Sequence, residues 1–323
     1  MGHDQRFKDF LYSFLQEFLE LFFPEVAKRL DFRTVEFLDK EVFTEAAEGS
    51  RREADVVAKL RAKRGRPEIL LIHIEVQSRW RKRDVPARMY QYHCLLSSRY
   101  RLPIFPIAVY LRGGGAGIAT EEYRVELYGR EVLRFRYDSI RLARLSMEEY
   151  REKGGPAGAA LAALMDRASS SAPEALRASL LRRIARSRLD EARQLLLVDL
   201  VETYFQLTAE QKERYRRLVS RKEYRDVQDV EMTWAERLEE KGRKKGREEG
   251  RDEGRDEGRQ EGIAAGRIQG KREAVLRVLS AKFRRVPKHV VARVEAMDSA
   301  EELDACLERI STAQSLKESG LDS

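Results

Sequence analysis

A nine-residue run, Ile69–Gln77, reading Ile-Leu-Leu-Ile-His-Ile-Glu-Val-Gln, constrains this chain more than any other feature. It is rich in β-branched residues and comes after a charged segment with Gly and Pro, so it predicts a buried strand. Side chains alternate faces along a strand, which puts His73, Glu75 and Gln77 on one face and Ile72, Ile74 and Val76 on the other. A carboxylate inside such a strand is costly to bury unless it is paired or binds a metal. Asp55 poses the same problem at the start of the preceding strand candidate, residues 54–60. If the two strands are antiparallel neighbours, Asp55 and Glu75 converge on one hard divalent cation. Mg²⁺ suits such a pair, because it takes one or two carboxylates and completes its shell with water and phosphate. It lowers the pKa of a bound water and stabilises charge on phosphorus oxygens.

The surrounding pattern is α/β. Residues 4–23 repeat apolar side chains at helical spacing (Phe7, Phe10, Leu11, Phe14, Leu15, Phe18, Leu19, Phe22) and end at Pro24. Strand candidates come next at 33–43, 54–60 and 69–77, then a helix at 85–100 and a strand at 104–111. This order implies helices packed on a central sheet. The loop Gly113-Gly114-Gly115-Ala116-Gly117 lacks the Lys-Ser/Thr ending of a P-loop and reads as a connection. Residues 156–230 are Ala/Leu/Arg-rich and helical in pattern, and 271–316 resume an amphipathic helical pattern broken at Pro287.

The 323 residues carry a formal charge of +8, and residues 51–101 alone hold 14 Lys/Arg against 5 Asp/Glu. A basic concentration around acidic candidates suits a protein that holds phosphates near a metal. Cys94 and Cys306 lack metal-ligand spacing and form no disulfide framework. No run of about 18 apolar residues occurs, and charges break the N-terminal apolar stretch. These features lead to the expectation of a cytoplasmic protein with no membrane partner.

Several segments together resemble a known family: His3-Asp4, Phe7-Lys8, Phe37-Leu38-Asp39-Lys40-Glu41, Ala54-Asp55-Val56-Val57, His73-Ile74-Glu75-Val76-Gln77, Arg88-Met89-Tyr90-Gln91-Tyr92 and Pro106-Ile107-Ala108-Val109-Tyr110. Their order and spacing are similar to the PD-(D/E)XK nuclease superfamily, and more narrowly to the bacterial recombination-promoting nuclease/transposase family. The resemblance spans about residues 3–112, and the C-terminal segment is similar to a small helical domain often attached to such proteins. It implies a restriction-endonuclease-like core, a mixed sheet flanked by helices, with an α-helical region after it. It further implies a DNA endonuclease of low sequence specificity using Mg²⁺ or Mn²⁺, linked to recombination or mobile elements. Asp55 and Glu75 would be the metal ligands. Gln77 stands where the superfamily has a Lys, and its amide can place a water but supplies no charge. Lys59 is a candidate replacement for that charge. Arg88 and Tyr92, four apart on one helix face, match the family's Arg…Tyr pair and are expected to brace the site or touch phosphate. Arg79, Arg81, Lys82 and Arg83 are expected to hold the DNA backbone without base choice. The alternative is a catalytically weak or inactive nuclease fold that binds DNA or assembles with other proteins.

The expected organisation is a nuclease-like domain over 1–150, a helical extension over 151–235, a repeat arm over 236–272 and a small helical domain over 273–323. In the arm, glycines recur at every fourth position from Gly242 to Gly270 between triplets such as Arg-Asp-Glu. Each Gly costs a helix about 1 kcal/mol relative to Ala, while each Asp/Glu–Arg pair returns about 0.2–0.5 kcal/mol. An isolated helix here is therefore marginal, leaving a helix packed on a second chain or a charged linker. The reading favours a helical arm that joins a homodimer.

Overall fold

The computed structural model describes residues 3–38, 55–64, 68–77, 84–166, 171–283 and 285–321. The chain divides into two compact units, Met1–Arg237 and Leu238–Ser323.

The first unit is built on a six-stranded mixed sheet. Helix α1 (His3–Phe22) and the short α2 (Pro24–Ala27) precede β1 (Leu30–Phe37), β2 (Val56–Ala62) and β3 (Ile69–Gln77). Helix α3 (Asp84–Tyr100) crosses to β4 (Ile104–Tyr110), and a hairpin of β5 (Ile118–Leu127) and β6 (Arg130–Arg141) comes after it. Strand order is β1-β2-β3-β4-β6-β5. β2 runs antiparallel to β1 and β3, β3, β4 and β6 run parallel, and β5 returns antiparallel on β6. The parallel step between β3 and β4 requires a crossover, and α3 supplies it.

The two faces of β3 have separate fates, as its alternation predicts. Ile72, Ile74 and Val76 join the large core beneath α1, whose Phe7, Phe10, Phe14 and Phe18 are fully buried. On the opposite face Leu71 packs with Tyr92 and Leu96 of α3.

Two elements differ from their expected limits for simple reasons. β1 starts at Leu30, earlier than 33, because Leu30 and Asp31 pair with Ala62 and Arg61. The sequence pattern predicts no strand over the β5–β6 hairpin. Its outer residues are mostly charged and exposed, and the turn Tyr128-Gly129, with φ 52° and 76°, lacks the usual Asn-Gly signal.

The helices after β6 do not form a separate core. Helices α5 (Gly155–Ala162), α6 (Pro173–Ala185), α7 (Glu191–Tyr204) and α8 (Ala209–Val219) share the α1 core with the sheet. The short α4 (Met147–Tyr150) precedes them, and Val227 and Val230 from the first turns of α9 (Arg225–Lys282) complete that core. In the second unit Val275 and Leu279 of α9 pack with α10 (Lys288–Glu295) and α11 (Ala300–Thr312) around Val290, Val294, Leu303, Cys306 and Ile310. The glycine repeat is thus helical, and a Cβ added at any glycine from Gly242 to Gly270 meets nothing within 4 Å. No helix among the described residues is long and apolar enough to cross a membrane.

Candidate functional site

β2 and β3 are antiparallel, with Val56 opposite Ile74, so Asp55 stands one step further along, opposite Glu75. Asp55 lies just before β2, at the rim of the sheet, where two different elements reach its carboxylate. Its Oδ2 accepts from the Val76 backbone N–H at 2.7 Å, and the Lys8 ammonium of α1 lies 2.5 Å from Oδ1. Burial pushes the Asp55 pKa up, the Glu75 charge pushes it further, and Lys8 and the Val76 amide act against them. Two carboxylates that share a site each disfavour the other's charge, and a nearby cation relieves that cost.

Glu75 is 3% exposed. Its Oε1 lies 2.9 Å from Arg88 Nε and accepts from Gln77 Nε2 at 3.2 Å. Its Oε2 is buried without a hydrogen-bond partner among the described residues, 3.8 Å from His73 Nε2. Gln77 Nε2 also donates to the Val76 carbonyl at 2.9 Å. The Tyr92 ring meets His73 edge-on at 5.4 Å. This bracing has a geometric cause. Two residues along a strand rise about 6.6 Å and four along a helix about 6 Å, so Arg88 and Tyr92 match Glu75 and His73 once α3 runs back along β3.

The polar face continues across the sheet. Gln77 is in register with Tyr110 of β4, and Tyr110 with Arg141 of β6. The Arg141 guanidinium lies over the Tyr110 ring at 5.1 Å and pairs with Glu121, which also accepts from Tyr137 Oη at 2.8 Å and Ser139 Oγ at 3.0 Å. Burial pushes the Tyr110 phenol up to about 12, so it stays a neutral hydroxyl.

Asp55, Glu75, Gln77, Arg88 and Tyr92 therefore come together. Lys59 does not join them: its ammonium donates to Glu36 of β1 at 3.0 Å. Lys8 takes the place beside Asp55; in the sequence it stands beside the apolar stripe of α1 and in the Phe7-Lys8 segment of the resemblance, with no role assigned to it. His73 is fully buried and neither ring nitrogen has a hydrogen-bond partner among the described residues. Glu41, Arg79, Arg81, Lys82 and Arg83 lie outside the described residues. The Gly113–Gly117 loop packs against Arg144 and Leu145. Arg144 Nε donates to the Gly113 carbonyl at 3.1 Å, and a Cβ on Gly117 would meet Leu145 at 2.5 Å.

Among the described residues no three His, Cys, Asp or Glu side chains group as a metal cage. The arrangement fits a Mg²⁺-type ion, which needs only one or two carboxylates. Asp55 and Glu75 supply those, and the partnerless Glu75 Oε2 is a buried acceptor of the right kind. Comparison with family models, with curated proteins and with solved structures finds no match.

Proposed function

We propose that the chain is a metal-dependent DNA endonuclease of low sequence specificity, with a restriction-endonuclease-like core and a role in recombination or mobile-element biology. The observation that carries this reading is the placing of Asp55 opposite Glu75 at the end of a buried strand, with a carboxylate oxygen left over. Asp55 and Glu75 would hold Mg²⁺ or Mn²⁺, which supplies positive charge and an acidified water when bound. The chain's own groups do the positioning. Arg88 fixes one oxygen of Glu75 and leaves the other for the ligand. Gln77 turns its amide from Glu75 toward a water or phosphate oxygen. Lys8 contributes the cation that Gln77 cannot. Tyr92 holds the His73 side of the face, and Arg79, Arg81, Lys82 and Arg83 contact the DNA backbone. The glycine-repeat helix joins two copies through close backbone approach.

A second reading has its own observation. Both Asp55 oxygens are already engaged, by Lys8 and by the Val76 amide, and Glu75 Oε1 is taken by Arg88 and Gln77. A site satisfied from within describes a fold that binds DNA without cutting it. Incubation of supercoiled plasmid with the full chain separates the two. The nuclease reading expects nicking with Mg²⁺, none with EDTA, and none from Asp55→Ala. DNA binding with no cleavage under any divalent ion supports the second reading and overturns the first.

A further inference from the structure

Away from the Asp55–Glu75 site, a cleft of about 320 Å³ opens between the segment just after α4, helix α6 and the turn just before α9. Arg151, Arg182, Arg183 and Arg186 line it with Ser179 and Tyr224, and Glu152 is the one carboxylate in its wall. The carboxylates nearby are too few for the arginines. Glu152 serves both Arg151 and Arg183, and Asp226 serves both Arg182 and Arg186. Even with Glu148, 3.2 Å from Arg151, guanidinium groups outnumber acids. The Nε atoms of Arg151 and Arg182 are buried and meet carboxylates as ion pairs, Arg151 Nε 3.2 Å from Glu148 and Arg182 Nε 3.7 Å from Asp226.

Arg182 is held rigid. Its guanidinium carbon lies 3.9 Å from the centre of the Tyr224 ring, and its Nη2 donates to the Glu223 carbonyl. An arginine stacked in this way loses less freedom when its planar fork meets an anion. A guanidinium has five donors, and each shared carboxylate leaves some of them open. Residual positive charge, a fixed fork and guanidinium donors left over where carboxylates are shared match a tetrahedral oxyanion, which accepts paired N–H groups from arginine.

We propose that this cleft binds a phosphate group, either of a nucleic-acid backbone or of a phosphorylated small molecule. The site stands apart from the nuclease reading. The Asp55→Ala chain keeps the binding even where cleavage is lost, so the two proposals fail separately.

The test uses the full chain in EDTA with two probes: a short fluorescein-labelled DNA duplex monitored by anisotropy, and inorganic pyrophosphate monitored by calorimetry. Arg183→Gln/Arg186→Gln is compared with Arg216→Gln/Arg217→Gln, an equal charge loss on exposed positions of α8. For a backbone phosphate, the first pair weakens duplex binding about tenfold and flattens the log–log salt dependence by about 1–2, and the control pair does neither. If duplex binding matches the control but the pyrophosphate heat disappears, the ligand is a free phosphorylated molecule. Equal behaviour of the two pairs toward both probes overturns the site. Should the Gln pair melt early, Arg183→Lys/Arg186→Lys decides. It keeps the charge but not the fork, so its affinity falls several-fold, and affinity equal to the unsubstituted chain overturns the proposal.

Discussion

Burial and the Glu75 charge raise the Asp55 pKa, while Lys8 and the Val76 amide lower it, and the raising influences win. The folded chain therefore holds this proton more tightly than the unfolded chain does. Between the ordinary carboxylate range and the raised value the unfolded state binds fewer protons, so stability falls as pH rises through that window. Asp55→Asn imitates the protonated form. Its melting temperature should exceed that of the unsubstituted chain at pH 7.5, with the gain shrinking at pH 4, as thermal melts at both values would show. An equal effect at both pH values would mean that Asp55 carries no such cost. Lys8 acts in the other direction. Removing one partner of a fully buried ion pair costs about 3–5 kcal/mol. Lys8 and Asp55 side chains are 17% and 12% exposed, so Lys8→Ala should cost less than that, and its loss should shrink in the Asp55→Asn background. Strictly additive losses in that double-mutant cycle would refute the pairing. Strand alternation put Glu75 and Gln77 on one face, and the resemblance to a nuclease family made Asp55, Glu75 and Gln77 legible as site residues. Lys8 was not, because its contact with Asp55 depends on how α1 lies over the sheet, which no local pattern encodes.

At the scale of elements, β3 was readable to its last residue because both its faces are buried and the strand is apolar apart from His73, Glu75 and Gln77. The β5–β6 hairpin was not, because its buried side mixes Phe135 and Tyr137 with the polar Ser139 and Arg141. Ser139, Arg141 and Tyr137 face Glu121 there, so the alternation that marks a half-buried strand is blurred by charge. The helix over the glycine repeat raises the opposite question, since its glycines lower helix propensity and a Cβ at each meets nothing in the single chain. Replacing Gly250, Gly254 and Gly258 by Ala should stabilise the helix by about 0.8–1 kcal/mol per site, visible as greater helicity by circular dichroism. If the glycines let two copies approach closely, the same triple substitution should weaken self-association in sedimentation experiments, as an added methyl separates backbones in close-packed helix pairs. Helicity that rises with self-association unchanged would remove the glycines from any interface.

The whole first unit behaves as one piece in its packing: α1, the sheet and helices α5 to α8 share a core, so the 151–235 segment lies against the same apolar centre as the candidate site. Sequence pattern marked that segment as helical but could not assign it to the sheet's core, because an apolar helix face does not name its partner. The site sits where β3 ends, with α1 on one side through Lys8 and α3 on the other through Arg88, so its geometry depends on both layers. The central claim is that Asp55 and Glu75 act as one metal-holding pair that cuts DNA. Single-turnover cleavage of a supercoiled plasmid by the full chain, Glu75→Gln and Gln77→Lys, with Mg²⁺ varied, tests it most directly. Mg²⁺-dependent cutting is expected from the unsubstituted chain, cutting at least as fast from Gln77→Lys, and none from Glu75→Gln. Cleavage by Glu75→Gln at the unsubstituted rate, or cutting that persists in EDTA, would contradict it.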